Sequence, residues 1–254
     1  MPSLSQPDIQ AVTDCEIQPL TLSYEPVVHF SNQRILLRST MTISSQEFGS
    51  LSQEQYRYVA RRTSQSEQVF RRQLHKVLEA MPQMLAEKPY IQAVSIPVYN
   101  RMLKKGNLAS TIFEELTTHP NTSAANLCVE VSADVLFEDL EPMAAELQRV
   151  KKMGVTVAIW EVGDPYCPLL RLRELPYDYL MLDRFPVELL AEDSEESQNQ
   201  FKGLMQLLHA DENTSVIAVQ LPDSRLCQRA EDLGCDGYSL AEGVEPPKDE
   251  EADA

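Results

Sequence analysis

Residues 127–185 read LCVEVSADVLFEDLEPMAAELQRVKKMGVTVAIWEVGDPYCPLLRLRELPYDYLMLDRF. Three short apolar runs, near 127–132, 155–161 and 178–183, have strand length and lie between turn-forming residues. The longer stretch near 138–152 has the spacing of a helix. Strand, helix, strand, helix, strand in one continuous segment is the repeating unit of a parallel sheet with crossover helices.

The same alternation continues on both sides. Strands are expected near 91–98, 215–221 and 237–240, and helices near 107–117, 187–191, 198–209 and 223–233. Towards the N-terminus, 17–30 and 34–43 read as two strands around a turn at Ser31-Asn32-Gln33. A helix begins at Ser52, where Ser52 and Gln55 have capping-box spacing. A longer helix follows, with Phe70, Leu74, Val77, Leu78, Met81 and Leu85 on one stripe, and Pro82 is expected to end or kink it. Eight strands with helices between them predict an α/β protein: a TIM-like (βα)8 barrel over 17–241, its first two strands forming a hairpin. Residues 1–16 are expected to form a flexible lead. Residues 242–254, with six acids and one lysine, are expected to form a disordered acidic tail.

Composition narrows the partners. The chain has 254 residues, 43% of them hydrophobic, and a net charge of −17. Such a charge repels nucleic acid and anionic membrane surfaces, so neither is expected to bind. The start of the chain lacks the basic-then-apolar pattern of a secretory signal, no apolar run approaches membrane-spanning length, and the five cysteines show no CxxC spacing. A cytoplasmic protein with free thiols is expected. The four histidines (His29, His75, His119, His209) show no metal-ligand spacing, and there is no glycine-rich phosphate loop.

Eight short motifs, in order, resemble those of the EAL domain, the cyclic di-GMP phosphodiesterase family. Tyr24-Glu25-Pro26-Val27-Val28 is similar to YQPIV, and Arg34-Ile35-Leu36-Leu37-Arg38 to EALLR. Ile96-Pro97-Val98-Tyr99 corresponds to VNLS and Val129-Glu130-Val131 to the LEITE strand, whose second glutamate becomes Ala133. Trp160-Glu161-Val162-Gly163-Asp164-Pro165 corresponds to DDFGTG, and Met181-Leu182-Asp183 to KID. Ala218-Val219-Gln220-Leu221-Pro222 corresponds to AEGVE, and Ser239 lies nearest the final glutamine. The letters EGVE at 242–245 lie beyond the last strand and are read as coincidence.

The resemblance implies the barrel fold and a two-metal site whose chemistry is largely gone. Glu130 and Glu161 keep carboxylates. Arg34, Pro97, Trp160 and Val219 stand at the other ligand positions, and Met181 replaces the lysine that positions water. Asp183 is retained. Arg38 matches a residue that contacts the dinucleotide. Two divalent ions about 3.5–4 Å apart need a dense set of oxygen ligands, so no catalytic residue, metal or cofactor is expected. Arg34 is expected to stand in for the metals by pairing with Glu130, Glu161 or both. The resemblance further implies a non-catalytic regulatory module that binds another protein, with a homodimer plausible. The alternatives are a non-hydrolysing cyclic di-GMP receptor and, ranking last, an active phosphodiesterase. Cyclic di-GMP affinity is expected to be weak or absent. Arg57, Arg61, Arg62, Arg71, Arg72 and Lys76 form a candidate basic interaction patch, the alternative, ranked ahead of it, being ordinary solvated helix faces.

Overall fold

The computed structural model describes residues 20–45, 49–53, 55–56, 66–209 and 213–246. The expected lead, residues 247–254 of the expected tail, and Arg57, Arg61 and Arg62 of the candidate patch lie outside the described residues.

The strands close into the expected barrel. β1 (Leu20–His29) and β2 (Ile35–Ser45) form an antiparallel hairpin, in register from Leu20↔Ile43 to Val28↔Ile35. From β2 the sheet continues in parallel through β4 (Ile91–Pro97), β5 (Leu127–Ser132), β6 (Thr156–Val162), β7 (Tyr179–Leu182), β8 (Ser215–Leu221) and β9 (Gly237–Leu240). β9 then pairs antiparallel with β1 through Val28↔Tyr238 and His29↔Gly237, so the ring of eight strands has no free edge. A short strand, β3 (Gly49–Leu51), pairs with the far end of β2 outside this ring.

The hairpin turn falls where the sequence placed it. Gln33 adopts a positive φ of 53°, and the Asn32 side chain accepts the backbone N–H of Arg34 at 2.9 Å. At the closing seam, a Cβ on Gly237 would lie 2.5 Å from the Val28 carbonyl oxygen and 3.0 Å from Ile217 Cδ1. Only glycine lets β9 approach β1 this closely.

The outer layer comprises α1 (Ser66–Glu87), α2 (Asn100–Lys105), α3 (Leu108–Thr118), α4 (Leu140–Lys152), α5 (Arg184–Ala191), α6 (Glu195–Leu208) and α7 (Leu226–Asp232). α1 buries the predicted stripe of Phe70, Leu74, Val77, Leu78 and Met81. Pro82 lies within this helix and does not end it; the helix runs on to Glu87. Half of the predicted capping box forms, with the Ser52 N–H donating to Gln55 Oε1 at 2.7 Å. Helix α2 and strand β3 are additions to the sequence reading.

Alternation along the strands separates two cores. The large one fills the space between sheet and helices. The small one fills the barrel and takes one residue from each of seven strands: Val27, Leu36, Ala93, Cys128, Ala158, Met181 and Ile217. Met181, expected at the site, is therefore wholly buried inside the barrel.

Candidate functional site at the barrel mouth

The interior layer locates the site. Side chains on a strand return to the same face every two residues. Two positions beyond each interior residue, towards the C-terminal ends of the parallel strands, stand Arg38, Ser95, Glu130, Trp160, Asp183 and Val219. On antiparallel β1 the equivalent step leads back to Glu25, and on β9 it leads from Gly237 to Ser239. These residues ring the mouth of the barrel, the end where sites on this architecture form.

A buried ion pair dominates the ring. Arg38 grips Glu130 with two hydrogen bonds, Nε to Oε1 at 2.9 Å and Nη2 to Oε2 at 3.1 Å. Its Nη1 reaches Glu25 Oε2 at 3.4 Å. The Glu130 side chain is 5% exposed and that of Arg38 14%. Ser95 Oγ also donates to Glu130 Oε1, and Ser239 Oγ donates to Glu25 while accepting the Gln220 N–H at 2.9 Å. Burial pulls the Arg38 pKa down, but the charges of Glu130 and Glu25 more than reverse this, so the guanidinium is held firmly in its charged form. Below it, burial pushes the Cys128 thiol far above its usual range, which keeps it neutral and inert.

Arg34 is not part of this pair. It lies exposed in the hairpin turn, one residue before β2. Four strand residues, about 13 Å, separate it from Arg38. The β2 side chain that meets Glu130, and thus stands where a ligand sharing a cation with Glu130 would have to stand, is Arg38. The letter match through Leu36, Leu37 and Arg38 is therefore displaced by four residues from the geometric match.

Glu161 is held separately. Its Oε2 accepts a hydrogen bond from Ser132 Oγ at 2.6 Å, and its backbone has a positive φ of 63°. Gln220, on β8, has a φ of 55°. Both lie where the pairing with the next strand shifts register, at bulges that re-aim the strand ends. Left-handed backbone at residues other than glycine costs about 1–2 kcal/mol each, and such strain clusters at functional sites. Gly163 follows with a φ of 96°, and a Cβ there would lie 2.4 Å from Pro186 Cγ.

Two cavities open beside this strained rim. The larger, about 560 Å³, is lined by Arg38, Trp160, Glu161, Asp183, Arg184 and Val219, among others. The smaller, about 270 Å³, lies between Asp134, Phe137, Glu161, Asp164, Cys167 and Asp183. Trp160 and Val219 also pack down onto the barrel's inner core. Pro97, level with Glu130 on the neighbouring strand, is buried.

The residues at the mouth do not fit two divalent ions. A guanidinium occupies both oxygens of Glu130, and a proline ring, an indole and an isopropyl group stand where the resemblance calls for oxygen ligands. Sequence reasoning missed Glu25 and Ser95; a step of two residues from the interior positions, onward from Ala93 and back from Val27 on antiparallel β1, leads to both. It also missed a pairing elsewhere: His75 and His119, 44 positions apart, meet on the outer helices with their rings 4.8 Å apart. Of the candidate basic patch, Arg71 is paired with Glu67, Glu114 and Glu115, and Lys76 with Glu79.

The EAL domain family matches residues 10–239, and the chain belongs to that family. Among solved structures, the PaMucR phosphodiesterase in complex with c-di-GMP superposes with a TM-score of 0.75 at 20% identity, covering 87% of this chain and 89% of the other. The FimX EAL domain of Pseudomonas aeruginosa bound to c-di-GMP gives 0.76 at 14% identity, covering 92% and 91%. An EAL domain protein of Listeria monocytogenes gives 0.70 at 16% identity, covering 94% and 92%. An uncharacterized signaling protein of Caulobacter vibrioides is 30% identical over 103 residues, 40% of this chain and 12% of that protein. An uncharacterized protein of Sinorhizobium fredii is 30% identical over 96 residues, 38% of this chain and 11% of its own length. The matches thus span only about an eighth of these longer relatives.

Proposed function

We propose that this EAL-family chain does not hydrolyse cyclic di-GMP and acts as a regulatory module that binds another protein. The observation that carries this reading is the two-bond grip of Arg38 on Glu130. A fixed cation on the buried mouth carboxylate competes directly with any divalent ion for its oxygens, and among the described residues the neighbouring carboxylates, Asp134, Glu161, Asp164 and Asp183, do not converge into a ligand group of three. Met181, buried in the barrel, cannot position a water at the mouth. The site has kept its backbone and lost its chemistry, leaving a scaffold free for other use.

A binding role draws support from the loops around the mouth. Phe137 (63% exposed), Tyr166 (84%) and Leu170 (68%) present large apolar side chains on neighbouring segments. Arg171 ties these segments together by donating to the Leu136 carbonyl at 2.6 Å and the Glu138 carbonyl at 3.1 Å. Exposed apolar groups on an ordered platform suit a protein partner or a second copy of the chain.

A second reading, a non-hydrolysing cyclic di-GMP receptor, draws support from the 560 Å³ cavity with Trp160 and Arg184 in its lining. Two observations weigh against it: Arg38 is already committed to two carboxylates, and the net charge of −17 opposes a dianion. Equilibrium binding of cyclic di-GMP, with and without Mg²⁺, separates the two. The module reading expects a dissociation constant weaker than about 1 μM, and tighter binding favours the receptor.

A further inference from the structure

We propose that His75, Glu115 and His119 form a surface site for a transition-metal ion of the Zn²⁺ class on the outer helical ring, independent of the barrel mouth. One potential ligand atom from each residue lies within 4.8 Å of the others. The site is built from two helices that pack together, α1 and α3. α1 places His75 and Glu79 one turn apart; Glu115, near the end of α3, and His119, which caps it, have the same i, i+4 spacing. His75 Nδ1 lies 3.3 Å from Glu115 Oε2, while the other carboxylate oxygen, Oε1, faces Arg71 Nη1 at 3.7 Å, so it is Oε2 that is offered to the ion.

Hydrogen bonding prepares His119 as a ligand. Its Nδ1 lies 2.8 Å from the Glu115 backbone carbonyl, which can only accept. Thr118 Oγ1, 3.0 Å from the same nitrogen, donates to that carbonyl at 2.8 Å, so these contacts suit a proton on Nδ1 and leave the Nε2 lone pair for an ion, the arrangement typical of metal-ligating histidines. The His75 side chain is 49% exposed, so a small rotation can bring its ring to tetrahedral spacing from the other two ligands. The fourth position falls to water, since Glu79, 3.8 Å from His75 Nε2, is paired with Lys76 and stands outside the converging group. Two imidazoles with a carboxylate favour Zn²⁺, Co²⁺, Ni²⁺ or Cu²⁺ over Mg²⁺ and Ca²⁺, which require oxygen ligands.

The test uses the full chain, stripped of metal with a chelator, and titrates it calorimetrically with Zn²⁺ and spectroscopically with Co²⁺. The site predicts a single strong event with the visible absorption of tetrahedral Co²⁺, weakened at least about tenfold by His75→Gln and by His119→Gln. Cys167→Ser, which alters the half-buried thiol near the mouth, should leave it unchanged. Mg²⁺ at the same concentration should not compete. Circular dichroism and urea midpoints of the apo variants check folding. If either histidine variant misfolds, Glu115→Gln takes its place with the same expected weakening. No Zn²⁺ binding, binding undiminished by the substitutions, or binding lost in Cys167→Ser would each overturn the proposal.

Discussion

Arg38 is the residue on which the mouth depends. Removing one member of a buried pair leaves an uncompensated charge, so Arg38→Met should destabilise the fold by about 3–5 kcal/mol in urea unfolding. Its 14% exposure points to the lower end of that range. Adding Glu130→Leu to Arg38→Met should recover most of the loss, because two packed apolar groups often replace a buried ion pair without penalty. Arg34→Met, on an exposed turn residue, should change stability by less than about 0.5 kcal/mol. A second residue-scale effect lies at the barrel's other end. His29 is 7% exposed, and burial lowers its pKa below 6.5 despite the opposing pull of Asp236. Near pH 6.5 the unfolded chain gains a proton that the folded chain does not, so this contribution is intact above pH 6.5 and is lost as pH falls below it. His29→Gln should flatten the fall in urea stability on that acid side relative to the parent chain. An unchanged slope would remove His29 from the account.

Among the elements, the closing seam is the most sensitive. Gly237→Ala would press a methyl against the Val28 carbonyl oxygen, a backbone atom that cannot rotate away. It should cost about 1–3 kcal/mol or more, read as a lower urea midpoint with unchanged slope. The order and nature of the barrel elements were legible in the sequence because apolar runs, helical stripes and turn residues each report on neighbours close in the chain. Depth in the barrel was not. Arg34, one residue before β2, is in period-2 phase with Leu36 and Arg38, so a four-residue slip preserves the inward pattern of the letters while moving the guanidinium from the hairpin turn to the mouth of the barrel. Only the closed ring, with Arg38 opposite Glu25 and level with Ser95, fixes which arginine meets Glu130. The bulges that put Glu161 and Gln220 in left-handed backbone left no mark in composition or period. The meeting of His75 with His119 depends on two helices packing and was equally hidden. Pro82, a strong local breaker, was overridden by the buried stripe of α1.

At the scale of the whole molecule, an EAL barrel has kept its closed ring, its strained rim and a cavity at the mouth. At that mouth the Arg38 guanidinium is bonded to Glu130, a carboxylate that the resemblance places among the metal ligands. The most direct measurement is a cyclic di-GMP hydrolysis assay of the full chain with Mg²⁺ or Mn²⁺ in excess, run beside a buffer blank and the Glu130→Ala variant. The ion pair of Arg38 with Glu130 predicts no turnover above the blank for either protein, with either metal. Turnover by the parent chain that disappears in Glu130→Ala would contradict it, because Glu130 would then be serving a metal rather than Arg38.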